Sequence, residues 1–202
     1  DRLEEHARAM GEIAESISRE FDVRFGGFDF SPAPHPSQGR SLGAALAALG
    51  IPALGQFGSL TAAAFLADLL DRGRWPRAGF NGLMLPVLED SLLAEQAASG
   101  ALTLKDLLLF SSVCGTGLDT VPLPGDSTPE QLSAVLLDVA ALSVRLNKPL
   151  TARLMPVPGK KAGDPTGFDF DYFANGRVMD LPGGGVTGKL AGDEAFDLRP
   201  RK

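Results

Sequence analysis

The feature that most constrains this chain is an alternation. Segments with helical periodicity are separated by short extended-looking runs, in the order helix, strand, helices, strand, helices, strand, helix, strand. Strands that alternate with helices predict an α/β fold with mainly parallel strands, because a parallel pair needs a crossover and a helix is the usual one. The first helix is predicted over 1–21, with Leu3, Ala7, Met10, Ile13, Ala14, Ile17 and Phe21 on one stripe. Val23 to Phe30 reads as a strand with a glycine irregularity at Gly26-Gly27, and the prolines at 32, 34 and 36 make the next stretch a loop. Helices are predicted over 41–49, 59–72 and 91–98, with a buried strand from Phe80 to Leu88 between the second and third. Thr103 with Asp106 is a capping-box variant, and Thr128, Pro129 and Gln131 mark the clearest helix start in the chain. Thr120 to Leu123 and Pro149 to Val157 read as strands, and Phe168 to Phe173 as one further short candidate. The pattern gives out after Pro158. An α/β domain is accordingly expected over 1–165, with 166–202 an irregular C-terminal segment.

Composition sets the class. With 202 residues, 44% of them hydrophobic, the chain is long enough to bury a core without disulfides or metals. The net charge of -6 argues against a nucleic-acid partner, which would meet a basic field. No apolar run reaches the ~18 residues of a membrane span, and acidic residues stand where a signal peptide would be basic. A soluble, cytoplasmic protein is expected, with no membrane or nucleic-acid partner. One cysteine excludes an intrachain disulfide and a multi-cysteine zinc site, and the two histidines leave little for a histidine-rich site.

The candidate chemistry gathers in the small-residue stretch Ser112 to Asp119. Cys114 lies in a turn rather than in a core run. Gly115 and Gly117, with Thr116 between them, let backbone approach a ligand and present N–H groups to it. Asp119 follows as an orienting group or base. The bland alternative makes Cys114 a small buried hydrophobe. Asp29, Glu89, Asp90, Asp119 and Asp126 sit at or near predicted strand ends, where open α/β sheets gather ligands. Acids in turns are also ordinary caps, so their convergence is the test. His35 is expected to be an exposed loop residue, and Arg153, Lys160 and Lys161 a small anion site or simply solvated. Gly183 to Lys189 matches most of a phosphate-binding loop. Leu190 stands where Ser or Thr must hold Mg²⁺, so a tail segment is the better reading.

Four segments together resemble one family: Phe25 to Asp29 with the proline loop, Gly82 to Asp90, Ser112 to Asp126 (SVCGTGLDTVPLPGD), and Arg153 to Lys160 with Gly163-Asp164. Their order and spacing are similar to the uncharacterised family called domain of unknown function number 711. The resemblance implies a fold like half of a ten-stranded pyruvate formate-lyase-like α/β barrel. It also implies that this chain is the C-terminal half of a longer protein, opening at Asp1 inside a helix. In enzymes of that fold a cysteine-bearing loop enters the barrel, and Cys114 is the residue here that could take that part. Arg177-Val178-Met179-Asp180-Leu181 keeps two residues of the radical-bearing loop of those enzymes but not its glycine or aromatic, and Cys114 has no adjacent second cysteine. Glycyl-radical chemistry is therefore not expected.

Two functions follow. One is an enzyme or binder of a small metabolite, with Cys114, Asp119 and Asp90 as catalytic groups and Gly115, Thr116, Gly117 and Asp29 binding the ligand. The other is a non-catalytic regulatory or assembly protein working with a partner chain, as a homo-oligomer or with the missing N-terminal half. The sequence identifies no cofactor.

Overall fold

The computed structural model describes residues 2–192, 195 and 197–201. Asp1 and parts of the 166–202 segment (193, 194, 196 and 202) lie outside the described residues.

The described residues form six helices and two strands, in chain order α1 Arg2–Phe21, α2 Leu42–Ala48, α3 Ser59–Asp71, α4 Ser91–Ala98, α5 Leu104–Phe110, β1 Gly117–Pro124, α6 Pro129–Leu146 and β2 Thr151–Val157. Short 3-10 turns occur at Gln38–Arg40 and Gly188–Ala191. Both predicted capping boxes are present. Thr103 and Asp106 exchange bonds at the start of α5, and Thr128 and Gln131 do so at the start of α6. Each satisfies two N–H groups the helix itself leaves open.

The fold is mixed α/β. β1 and β2 pair in parallel, with α6 as the crossover. The predicted strand 80–88 does not join the regular sheet, yet it runs alongside β1. Gly115 N–H donates to Leu83 O (2.9 Å), Val87 N–H to Asp119 O (3.0 Å) and Leu88 N–H to the Thr120 hydroxyl (3.2 Å). Partners that advance together along both segments make that pairing parallel. Prolines at 86, 122 and 124 withhold N–H groups and keep the ladder irregular. The predicted strand Val23 to Phe30 shrinks to one parallel bridge, Phe28 to Arg77. Phe168 to Phe173 is not a strand; its rings pack on one another around a turn.

The core lies around β1. Leu118, Val121 and Leu123 are fully buried in one cluster with Leu83, Leu85 and Val87 and with apolar residues of α4 and α5. Full burial of each such side chain contributes about 1.5–3 kcal/mol. The C-terminal segment adds Met179 and Leu181 to this core, and Met179 N–H bonds Pro122 O (2.8 Å). Gly183 O accepts from the Gln131 side chain (2.7 Å), which ties the glycine run to the start of α6. Among the described residues no helix is long and apolar enough to cross a membrane.

The helix predicted over 1–21 forms, but its stripe is not covered. Leu3, Met10, Ile13, Ile17 and Phe21 are all exposed, and only Ala7 is buried.

Candidate functional site

Cys114 sits just past the end of α5. Val113 and Cys114 both donate their N–H to Phe110 O, at 3.0 and 2.8 Å, so the chain winds once beyond the helix before turning into β1. Thr116 holds the turn in place: its hydroxyl donates to Leu83 O (3.2 Å) and its carbonyl accepts from Thr151 N–H (2.7 Å). The Gly115 N–H is already bonded to Leu83 O and is not a free donor for a ligand. Its glycine is needed for another reason. A Cβ there would stand 2.9 Å from the Gly82 Cα, so two backbones pass each other at this point. Gly117 has φ +109, and a Cβ would meet Thr151 O at 2.2 Å.

The Cys114 thiol is buried, at 1% exposure, and it is unbonded to other cysteines. It also lines a cavity of about 340 Å³ whose walls are the end of α3, the 80–83 segment, the 112–115 turn and Lys148. Lys148 follows the left-handed cap Asn147 (φ +50) that ends α6. Its N–H donates to Ser143 O (2.9 Å) and its carbonyl accepts from the Ser143 hydroxyl (2.7 Å), so its backbone is pinned at both ends. Lys148 Nζ donates to Ser111 O (3.1 Å). Burial pulls the Lys148 ammonium below its ordinary pKa, against the opposing pull of Cys114 and Asp71. Asp71, the last residue of α3, lines the same cavity.

Asp29 shapes one wall of this cavity from behind. Its carboxylate accepts from Ser31 N–H (3.0 Å) and hydroxyl (2.5 Å), from Phe80 N–H (2.8 Å) and from Asn81 N–H (2.9 Å). The Ser31 hydroxyl and then the Phe80 and Asn81 N–H groups hold the Asp29 carboxyl far below the usual range. Asn81, itself at φ +50, spends its whole amide on the same knot. Its oxygen accepts from Phe30 N–H and Trp75 Nε1, and its nitrogen donates to Phe28 O and Ala78 O. The Asp29 loop therefore braces Phe80 to Gly82, the segment that faces Cys114.

The remaining acids lie elsewhere. Asp119 is buried in β1 and accepts from Arg153 Nε of β2 (2.5 Å), while the Arg153 NH2 group reaches Glu89 (2.7 Å). The Asp119 hydrogen bond and the charges of both carboxylates raise the Arg153 pKa further. Arg153 is thus taken by carboxylates and does not join Lys160 and Lys161 in an anion site. Next to Asp119, Thr120 has φ +44 inside the strand, where the pairing register slips between Leu118 and Val121. A β-branched residue in that region is strained, and its buried hydroxyl receives Leu88 N–H in return. Asp90 is fully buried at the start of α4. It accepts from Leu92 and Leu93 N–H, Gly43 N–H and the Ser41 hydroxyl. Asp126 is exposed in the turn before α6, and His35 bonds Ser37 and meets Tyr172 edge-on. Asp119 and Glu89 meet on Arg153, but the five acids do not gather at one site. Among the described residues no group of three or more His, Cys, Asp or Glu side chains is placed to hold a metal ion.

Of the residues singled out from sequence, the structure brings Cys114 and Gly115 to one cavity, with Asp29 one step behind it. It puts Asp119 with Arg153 and Glu89, and Asp90 in a cap. Lys148 and Asp71 had no signal in the sequence, since each is an ordinary charged residue at a helix end and only the tertiary fold brings it to the cavity that Cys114 lines.

The family described as Uncharacterised ACR (DUF711) matches residues 2–171. A UPF0210 protein of Pyrobaculum arsenaticum is 42% identical over 160 residues, 77% of this chain and 36% of that relative. One of Methanocaldococcus jannaschii is 40% identical over 156 residues, 75% of this chain and 34% of the relative. One of Oleidesulfovibrio alaskensis is 37% identical over 186 residues, 90% of this chain and 41% of the relative. The chain thus spans well under half the length of the curated relatives it matches.

Proposed function

This chain belongs to the DUF711 (UPF0210) family, and on that footing we propose that it carries an enzymatic or binding site for a small metabolite around Cys114. The observation that carries this reading is the cavity of about 340 Å³, in which a thiol, an ammonium and a carboxylate meet. Cavities of this size, with a few placed polar groups, are where small ligands are held. In this proposal Cys114 is the nucleophile or contact residue, and Gly115, Thr116 and Gly117 set the shape of the turn that presents it. Asp29 fixes the facing wall. Asp119, through Arg153, and Asp90, through its cap, hold the strands and helix that frame the site. Glycyl-radical chemistry is not part of the proposal. The same reading takes residues 1–165 as an α/β domain, part of a larger ten-stranded barrel, followed by the irregular segment 166–202, and a cytoplasmic location in keeping with a free thiol.

Alkylation of the folded chain by a small thiol reagent tests this. Cys114 is expected to react under native conditions, through the cavity, and faster with a small reagent than with a bulky one. Modification only in step with global unfolding would mean that Cys114 is a core residue and nothing more.

A second reading is favoured by one specific observation, the uncovered apolar stripe of α1. In it the chain is a regulatory or assembly part whose α1 packs on a partner, either another copy or the remainder of a longer family protein. Light scattering of the purified chain checks the first form, and a monomer at every concentration would exclude it.

A further inference from the structure

We propose that the Cys114 cavity takes a small zwitterion, its carboxylate on Lys148 and its ammonium on Asp71. This deepens the metabolite-site reading above and rests on it. Two opposite charges line one cavity, yet no ion pair joins them among the described residues, where the salt bridges are Arg19–Glu15, Arg72–Asp68, Arg153–Glu89 and Arg153–Asp119. Lys148 uses one of its three N–H donors, on Ser111 O. Among the described residues the exposed Asp71 side chain has no hydrogen-bond partner, and the Arg77 guanidinium bonds its main-chain carbonyl instead.

A partly buried ammonium with spare donors is destabilised by the loss of water around it, and that desolvation is what lowers the Lys148 pKa, with Cys114 and Asp71 offsetting it only in part. An anion beside it would restore the charged form. A simple anion, however, would bring its charge toward the carboxylate of Asp71 as well. A ligand carrying both signs satisfies both side chains without adding net charge. The other polar groups around the cavity are already engaged: the Asn81 amide on four partners, the Ser112 hydroxyl on Leu109 O, and the Gly115 N–H on Leu83 O. Recognition therefore falls to Lys148 and Asp71, and the volume of about 340 Å³ restricts the ligand to a small one. Cys114 then lies against whatever side chain the zwitterion carries.

Calorimetric titration of the 202-residue chain tests this with glycine, L-alanine and L-serine as zwitterions, acetate and propionate as acids without the ammonium, and ethylamine as the amine without the carboxylate. At least one zwitterion is expected to bind and to slow native alkylation of Cys114, with each single-charge control at least about tenfold weaker. Asp71→Asn, at an exposed helix end, and Lys148→Gln should each weaken the zwitterion about tenfold. Binding of acetate as tight as that of alanine, or zwitterion affinity unchanged in both variants, overturns the proposal. So does the absence of zwitterion binding up to ~10 mM. If Cys114 alkylates in the folded chain but no zwitterion protects it, this inference falls and the metabolite site stands. If Cys114 is inert in the folded chain, the metabolite site falls as well.

Discussion

At Asp90 one buried carboxylate serves four donors. It caps α4 through Leu92 and Leu93, and it binds the Ser41 hydroxyl and the Gly43 N–H at the start of α2. Ser41 in turn caps α2 through Ala44 N–H, so the two helix starts share one anchor. Replacing Asp90 by Ala should destabilise the chain by about 2–3 kcal/mol, from the lost cap and the stranded donors, read as a lower urea midpoint. At Asp29 the effect is one of pH. Its folded pKa lies below the ordinary 3.8, so its contribution is complete above that value and disappears as the pH falls through the folded pKa. Asp29→Asn should therefore be less stable than the parent by a constant margin from neutral pH down to about pH 5, narrowing only in strong acid. The margin should be modest, because the carboxylate is exposed and screened by water. A margin that shrinks already near pH 6 would show that another group is responsible.

Among the elements, Arg153 is the tie that holds β2 to β1 and to the segment ending at Glu89. Arg153→Ala leaves the buried Asp119 without its partner and should destabilise by about 1–3 kcal/mol. Combined with Asp119→Asn, the loss should be less than the sum of the two singles, and strict additivity in that double-mutant cycle would show that the contact is idle. The start of α6 offers a simpler case, since Thr128→Ala removes one half of a capping box and should cost about 1 kcal/mol in thermal unfolding. These helix starts were legible in the sequence because capping is local: three residues fix it, whatever the rest of the chain does. The parallel strand pair around α6 was legible for a related reason, from turn signals and apolar runs. Phe80 to Leu88 reads as a strand because it is largely apolar, but its regularity is broken by where neighbouring prolines fall once the register is set. The site was half visible. Cys114 and Gly115 announce themselves as a turn, whereas Lys148, just past α6, and Asp71, at the end of α3, line the same cavity from places far from it along the chain. No spacing rule encodes that.

For the molecule as a whole, α1 is the element least invested in this fold. Its stripe is exposed at Leu3, Met10, Ile13, Ile17 and Phe21, and its links to the rest include the bond from Arg74 N–H to Glu4. Ile13→Glu should change the unfolding free energy by no more than about 0.5 kcal/mol. If the stripe is an assembly surface, the same change should abolish self-association seen by light scattering, and a large loss of stability would instead show that the stripe is buried in the folded chain. The parallel pairing of β1 and β2 carries a consequence in time. Gly117 meets Thr151, so no rung of that ladder can form until the whole of α6 has been made and has turned the chain back on itself. Until then Leu118, Val121 and Leu123 have only the 83–88 segment and the earlier helices to cover them. During synthesis the centre of the molecule is thus laid down before the strand that closes it. The interval between the two is when this chain is most exposed to the wrong neighbour.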